Sequence, residues 1–225
     1  LPKDGDAAAL FTQGVAHVFG FNLVEALRNF ETAAAISPEC ALCHWGVAVS
    51  FSPNINYYIE NQTRLNAAAK RALALADAQK PSLSDKAQRL IRAFAKLIAP
   101  ADNQDSPDSP FRKAWSEALC EDAEGELQAG TASTDPDIDA FCASSLMALS
   151  PWNYYQGFAS WPNNVPMKPF LLPAKSKLLG AVHRGVGGGP HVFAIHLLIH
   201  LLEPSNAPES YRWEALGPTE MLFGG

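Results

Sequence analysis

The chain has 225 residues, 48 % hydrophobic and 18 % charged, a balance that supplies a substantial buried core and excludes a disordered polypeptide. Its formal net charge of −6, with no local cluster of Lys and Arg to offset it, argues against nonspecific binding to nucleic acid or to an anionic membrane. No run reaches the ~18 uninterrupted apolar residues of a membrane-spanning helix.

The chain opens at Leu1 with neither a Met nor a charged-then-apolar leader, which reads as a mature or trimmed product. Residues 6 to 38 read as a helical hairpin. Asp6 or Gly5 precedes the first helix, Gly20-Phe21-Asn22 breaks it, and the second helix ends before Pro38. Leu10, Gly14, His17, Ala26, Phe30, Ala33 and Pro38 stand where small residues let two helices approach and large ones fill the gap. At these seven positions the hairpin resembles a tetratricopeptide repeat (TPR).

The pattern continues with insertions. A helix Glu39 to Phe51, a loop Ser52 to Glu60 and a helix Gln62 to Gln79 form a second unit, with Ala69, Leu73, Ala76 and Pro81 repeating the second-helix signature. A third unit has an amphipathic helix Ser84 to Ile98, a polar segment Pro100 to Pro110 and a helix Phe111 to Gln128. After the linker Ala129 to Thr134, Asp135-Pro136 starts a helix to Leu149, and a proline-rich aromatic loop runs from Ser150 to Pro169. Ala174, Leu178 and Ala181 echo the second-helix pattern again, and Glu209 to Gly225 reads as an unfinished helix that a longer chain or a neighbouring copy would complete. The expected architecture is an all-α, TPR-like helical-hairpin solenoid with long loop insertions. It forms a single domain over 1–225, with units at about 6–38, 39–81, 84–128, 136–186 and, incomplete, 189–225.

The chain is also similar to a group of bacterial-type, often exported TPR proteins. The segments carrying that similarity are FNLVEALRNFETAAAISPECALCHWGVAVSFSPNIN at 21–56, SSLMALSPWNYY at 144–155 and HVFAIHLLIHLLEPS at 191–205. The resemblance implies the solenoid fold and export but transfers no activity. Three proline-to-proline helices of similar length, Pro38 to Pro53, Pro136 to Pro151 and Pro190 to Pro204, align His44, Cys142 and His196. In a TPR-like unit that position packs against the partner helix. The first two of these helices lead into similar loops, Ser52-Pro53-Asn54-Ile55-Asn56-Tyr57-Tyr58 and Ser150-Pro151-Trp152-Asn153-Tyr154-Tyr155.

Chemistry concentrates in Gly187 to Pro204, the longest apolar stretch, expected as a helix with Pro190 in its first turn. At about 100° per residue His196, His200 and Glu203 share a ~60° arc, with His191 off that arc in the first turn. These four are the candidate ligands for a metal, and zinc or copper would suit them. The competing reading is a structural cluster in which Glu203 pairs with His200 near the helix C-terminus.

Cys40-Ala41-Leu42-Cys43-His44 has the spacing of a covalent haem c site, but its place inside a helical hairpin disfavours haem and favours a Cys40–Cys43 disulfide or dithiol. Cys120 and Cys142 fall on consecutive helices that a disulfide can bridge. Asn61-Gln62-Thr63 is a glycosylation sequon and, with the cysteines, points to a secreted, periplasmic or extracellular protein. Trp152, Tyr154, Tyr155, Phe158 and Trp161 offer rings for stacking on a sugar or peptide, for self-association or for pinning their loop. Arg184 and the following glycines are not a P-loop, since no Gly-Lys-Ser/Thr follows. The leading expectation is therefore a noncatalytic interaction or self-assembly module whose partner is a protein, a peptide, another copy or a glycan. The rival is a metal-binding protein or metal-dependent enzyme.

Overall fold

The computed structural model describes residues 2–80, 82–121, 135–156 and 166–203. Among them the chain is all-α, with isolated bridges Tyr155–Met167 and Val186–Gly189 and no longer strand. The helices are α1 (Gly5–Phe19), α2 (Leu23–Ile36), α3 (Ala41–Ser50), α4 (Gln62–Ala78), α5 (Asp85–Phe94), α6 (Pro110–Cys120), α7 (Pro136–Ala148), α8 (Leu172–Arg184) and α9 (Val192–Leu202). Consecutive helices pack on one another through α1 to α5 and again through α7 to α9, the solenoid-like pattern expected from the hairpin spacing. Among the described residues, contacts gather into two compact units, the residues up to Pro53 with those of 57–119, and Asn54–Asn56 with those from Cys120 onward.

Unit 1 is built around Phe30, which is fully buried. A Cβ on Gly14 would stand 2.6 Å from the Phe30 ring, and one on Gly46 would overlap the same ring. Two glycines, on α1 and α3, therefore admit one ring from α2, and the backbones close on either side of it. The aromatic core continues through Phe11, Trp45, Phe94 and Trp115. Trp45 to Phe94 and Phe94 to Trp115 are edge-on pairs at 5.5 Å. Such tilted contacts suit the ring quadrupoles.

In unit 2, α7 is buried from Ile138 through Ala148 and is flanked by α8 and α9. Its polar Asp139 is fully buried and binds two cations of α8, Lys177 Nζ at 3.0 Å and the Arg184 guanidinium. Burying that carboxylate is tolerable because both partners arrive with it. Cys120 and Cys142 are bridged, with Cα atoms 4.9 Å apart.

Several helix starts differ from the sequence expectation because side chains cap them. Asp4, one residue earlier than expected, accepts from the backbone N–H groups of Asp6 and Ala7. Cys40, expected inside a helix from Glu39, caps α3 instead, its sulfur accepting from Cys43 N–H at 3.0 Å. Pro190 precedes α9 rather than opening it, because His191 Nδ1 takes the capping bond from Ala194 N–H at 3.2 Å. The expected helix ending at Ile98 closes at Phe94 and tightens into a 3₁₀ turn, Ala95–Leu97. The end of the expected helix to Gln128, the linker Ala129 to Thr134 and the unfinished helix Glu209 to Gly225 lie outside the described residues.

Candidate functional site

The α1–α2 turn begins the first site. Phe21 has a left-handed backbone at φ 56°, a conformation that costs a bulky residue of order 1–3 kcal/mol and that concentrates at functional positions. With Leu23, Val24 and Leu27 of the following helix it lines one side of a groove of about 450 Å³. Phe51, at the end of α3, and Tyr57, Tyr58 and Glu60 from the next loop line the other. Val24, Tyr57 and Tyr58 are 63 %, 46 % and 53 % exposed, unusual for large apolar side chains gathered in one place.

Two of these rings are braced from behind. The Arg64 guanidinium lies 4.7 Å from the Phe51 ring centre and is itself paired with Glu31. The Arg112 guanidinium lies 5.0 Å from the Tyr58 centre, and it is fully buried against Asp105. Asp105 accepts from Arg112 Nε and from the backbone N–H of Ile59, each at 2.7 Å. One buried carboxylate thus fixes both the cation under Tyr58 and the backbone one residue beyond it. Sequence reasoning missed this groove. Its available signals were the bulky residue inside the Gly20-Phe21-Asn22 break and the Asp105 to Arg112 spacing across the junction of the polar segment with the helix that follows.

The histidine helix supplies a second site, in unit 2. His196 and His200 face each other with their Nε2 atoms 2.9 Å apart, and His200 Nδ1 lies 2.9 Å from Glu203 Oε1. The carboxylate sets the direction of the chain. A carboxylate only accepts, so His200 donates from Nδ1 to Glu203, and in the neutral imidazole its Nε2 is then the acceptor that faces His196. Trp152, the other residue outside glycine with a positive φ among those described, stands edge-on to His200 at 5.2 Å and is 45 % exposed. Tyr154 is fully buried. Its hydroxyl has no partner among the described residues, and burial pushes its phenol up to about 12, the Trp152 backbone opposing and the Glu203 carboxylate adding to that rise. Tyr155 donates to the Leu201 carbonyl at 3.0 Å and pins the loop to α9. Phe158 and Trp161 lie outside the described residues.

His191 is not part of this arrangement. It is buried, and its Nε2 donates to Asp137 Oδ1 at 3.1 Å while Nδ1 caps α9. Among the described residues no group of three or more His, Cys, Asp or Glu side chains is gathered as a metal ion requires. Of the aligned trio, Cys142 is fully buried and disulfide-bonded, whereas His44 and His196 are only partly buried. His44 Nε2 donates to the Pro38 carbonyl at 2.9 Å, and the neighbouring Cys40 and Cys43 are bonded to each other, with Cα atoms 5.3 Å apart. Asn61 is exposed at the start of α4, its side-chain carbonyl accepting from Arg64 N–H at 3.0 Å.

Fold and sites together define an all-α protein of packed helical hairpins with an aromatic groove in one unit and a carboxylate–imidazole chain in the other. No protein-family model, curated protein or solved structure matches the chain. No described helix is long and apolar enough to cross a membrane.

Proposed function

We propose that the chain is an exported, noncatalytic protein-interaction module built on tetratricopeptide-like hairpins, and that its binding element is the groove lined by Phe21, Val24, Phe51, Tyr57 and Tyr58. The observation that carries this reading is the exposure of Val24 and Tyr58 on a cavity whose rings are already held by Arg64 and Arg112. Contact surface organised before the partner arrives saves the ordering cost of binding. A groove of about 450 Å³ with apolar walls suits one or two anchoring side chains of an extended peptide. Glu60 on the lining and the net charge of −6 favour a basic flank on that peptide. The paired cysteines support export, since disulfides persist in oxidising compartments.

Selection of a random-peptide library on the full chain tests the reading. It predicts enriched peptides with an aromatic or aliphatic anchor beside Lys or Arg, whose affinity falls at least about tenfold on Val24→Asp. Enrichment indifferent to that substitution contradicts it. A chain that instead self-associates at micromolar concentration through the same groove, with Val24→Asp restoring the monomer, would make the partner another copy.

A second reading has its own support in the opposed Nε2 atoms of His196 and His200. Their separation allows both to turn to one zinc or copper ion, with Glu203 on Nδ1 fixing the ligating tautomer of His200. Elemental analysis of the native protein beside a His196→Ala, His200→Ala variant decides it. One metal per chain, lost in the variant, supports this reading, and a metal-free native protein removes it.

A further inference from the structure

The two disulfides differ in what they accomplish. Cys120–Cys142 closes a separation of 22 residues, whereas Cys40–Cys43 closes only 3, so the second restricts the unfolded chain far less. Its sulfurs also differ from each other. Cys43 is fully buried, while Cys40 is partly open and lines a cavity of about 680 Å³. Its lining combines apolar Pro38, Leu42 and Leu83 with polar Lys3, Glu39 and Gln79. Cys40 Sγ already accepts the Cys43 N–H at 3.0 Å, the bond that steadies a thiolate once the disulfide opens.

We propose that Cys40–Cys43 is a redox-active disulfide that exchanges with paired thiols of a peptide or protein seated in this cavity. A client thiolate attacks Cys40 Sγ, the accessible sulfur. The Cys40–Cys43 bond breaks, and its electron pair leaves on Cys43 Sγ, which takes a proton from solvent. The second client thiolate then attacks the client sulfur of the mixed disulfide, and the electron pair returns to Cys40 Sγ. The client loses two electrons and gains a disulfide, and the chain becomes a dithiol. A low-molecular-weight disulfide such as oxidised glutathione restores the chain by the same two exchanges in reverse. The groove of Tyr57 and Tyr58 shares no lining residue with this cavity, so peptide binding there stands or falls by itself, whereas disulfide exchange here would add a catalytic activity to the binding module proposed above.

The test uses the full native chain in glutathione redox buffers, with free thiols trapped by N-ethylmaleimide and located by peptide mass spectrometry. Circular dichroism is recorded on the same samples. The expected result is reversible opening of Cys40–Cys43 with helicity unchanged and Cys120–Cys142 still closed. With oxidised glutathione as co-reactant, the chain oxidises a synthetic dithiol peptide at least about tenfold faster than the Cys40→Ser variant, in which the serine hydroxyl retains the cap. Opening of Cys40–Cys43 only where helicity is lost, or together with Cys120–Cys142, overturns the proposal. So does peptide oxidation at the Cys40→Ser rate.

Discussion

Phe30 shows how one side chain sets the approach of three helices. Its ring occupies the space that a Cβ at Gly14 or Gly46 would need. Gly46→Ala therefore forces the ring or a backbone to move and lowers stability by about 1–3 kcal/mol, read as a lower urea midpoint at unchanged slope. Gly5→Ala, whose Cβ meets nothing within 4 Å, leaves the midpoint where it is or raises it. Tyr154 gives a residue-scale prediction of another kind. Its phenol, raised from 10.0 to about 12 by burial, keeps its proton in the folded chain at pH values where the unfolded chain loses it. This contribution is complete below pH 10 and is lost as pH climbs toward about 12, a loss approaching roughly 3 kcal/mol. Unfolding titrations from pH 9 to 12 should show that decline in the native chain and a shallower one in Tyr154→Phe. Equal slopes would mean that the buried phenol is not the cause.

At the scale of elements, α7 is the member of unit 2 that exposes least, and its Asp139 is the point where burial and charge conflict. Asp139→Asn leaves Lys177 buried without its anion and should cost about 3–5 kcal/mol, a fall in Tm on the order of 10 °C by calorimetry. A change of only a degree or two would mean that Lys177 finds water on rearranging. The helices themselves were legible in the sequence, because the spacing of Ala26, Phe30 and Ala33 is a local pattern that recurs at Ala69, Leu73 and Ala76 and at Ala174, Leu178 and Ala181. The starts of α3 and α9 were not, since a cysteine sulfur and an imidazole nitrogen take capping roles more often filled by Ser, Thr, Asp or Asn. The His196, His200 and Glu203 arc was equally legible as helical geometry, whereas His191 is claimed by Asp137, 54 residues away in sequence, which no helical period reveals.

At the scale of the whole molecule, two similar loops have opposite fates. Tyr154 and Tyr155 are buried, while Tyr57 and Tyr58 are turned outward and Ile55 is buried in their place. The first loop holds one residue more between its proline and its tyrosine pair, enough to change which side chains face inward. The groove arises from that difference together with Asp105 and Arg112, whose pairing with the Tyr58 loop depends on contacts across more than forty residues, as from Ile59 N–H to Asp105 at a separation of 46. Periodicity within a helix carries no trace of such contacts, so the proposed binding surface was hidden where the fold was plain. Whether that groove binds a peptide decides the proposed function. The most direct measurement is amide hydrogen exchange of the full chain with and without a library-selected peptide. Peptide binding in the groove gives new protection confined to residues 21–27 and 50–60, abolished by Val24→Asp. Protection centred on α9, or none at a saturating peptide concentration, would contradict it.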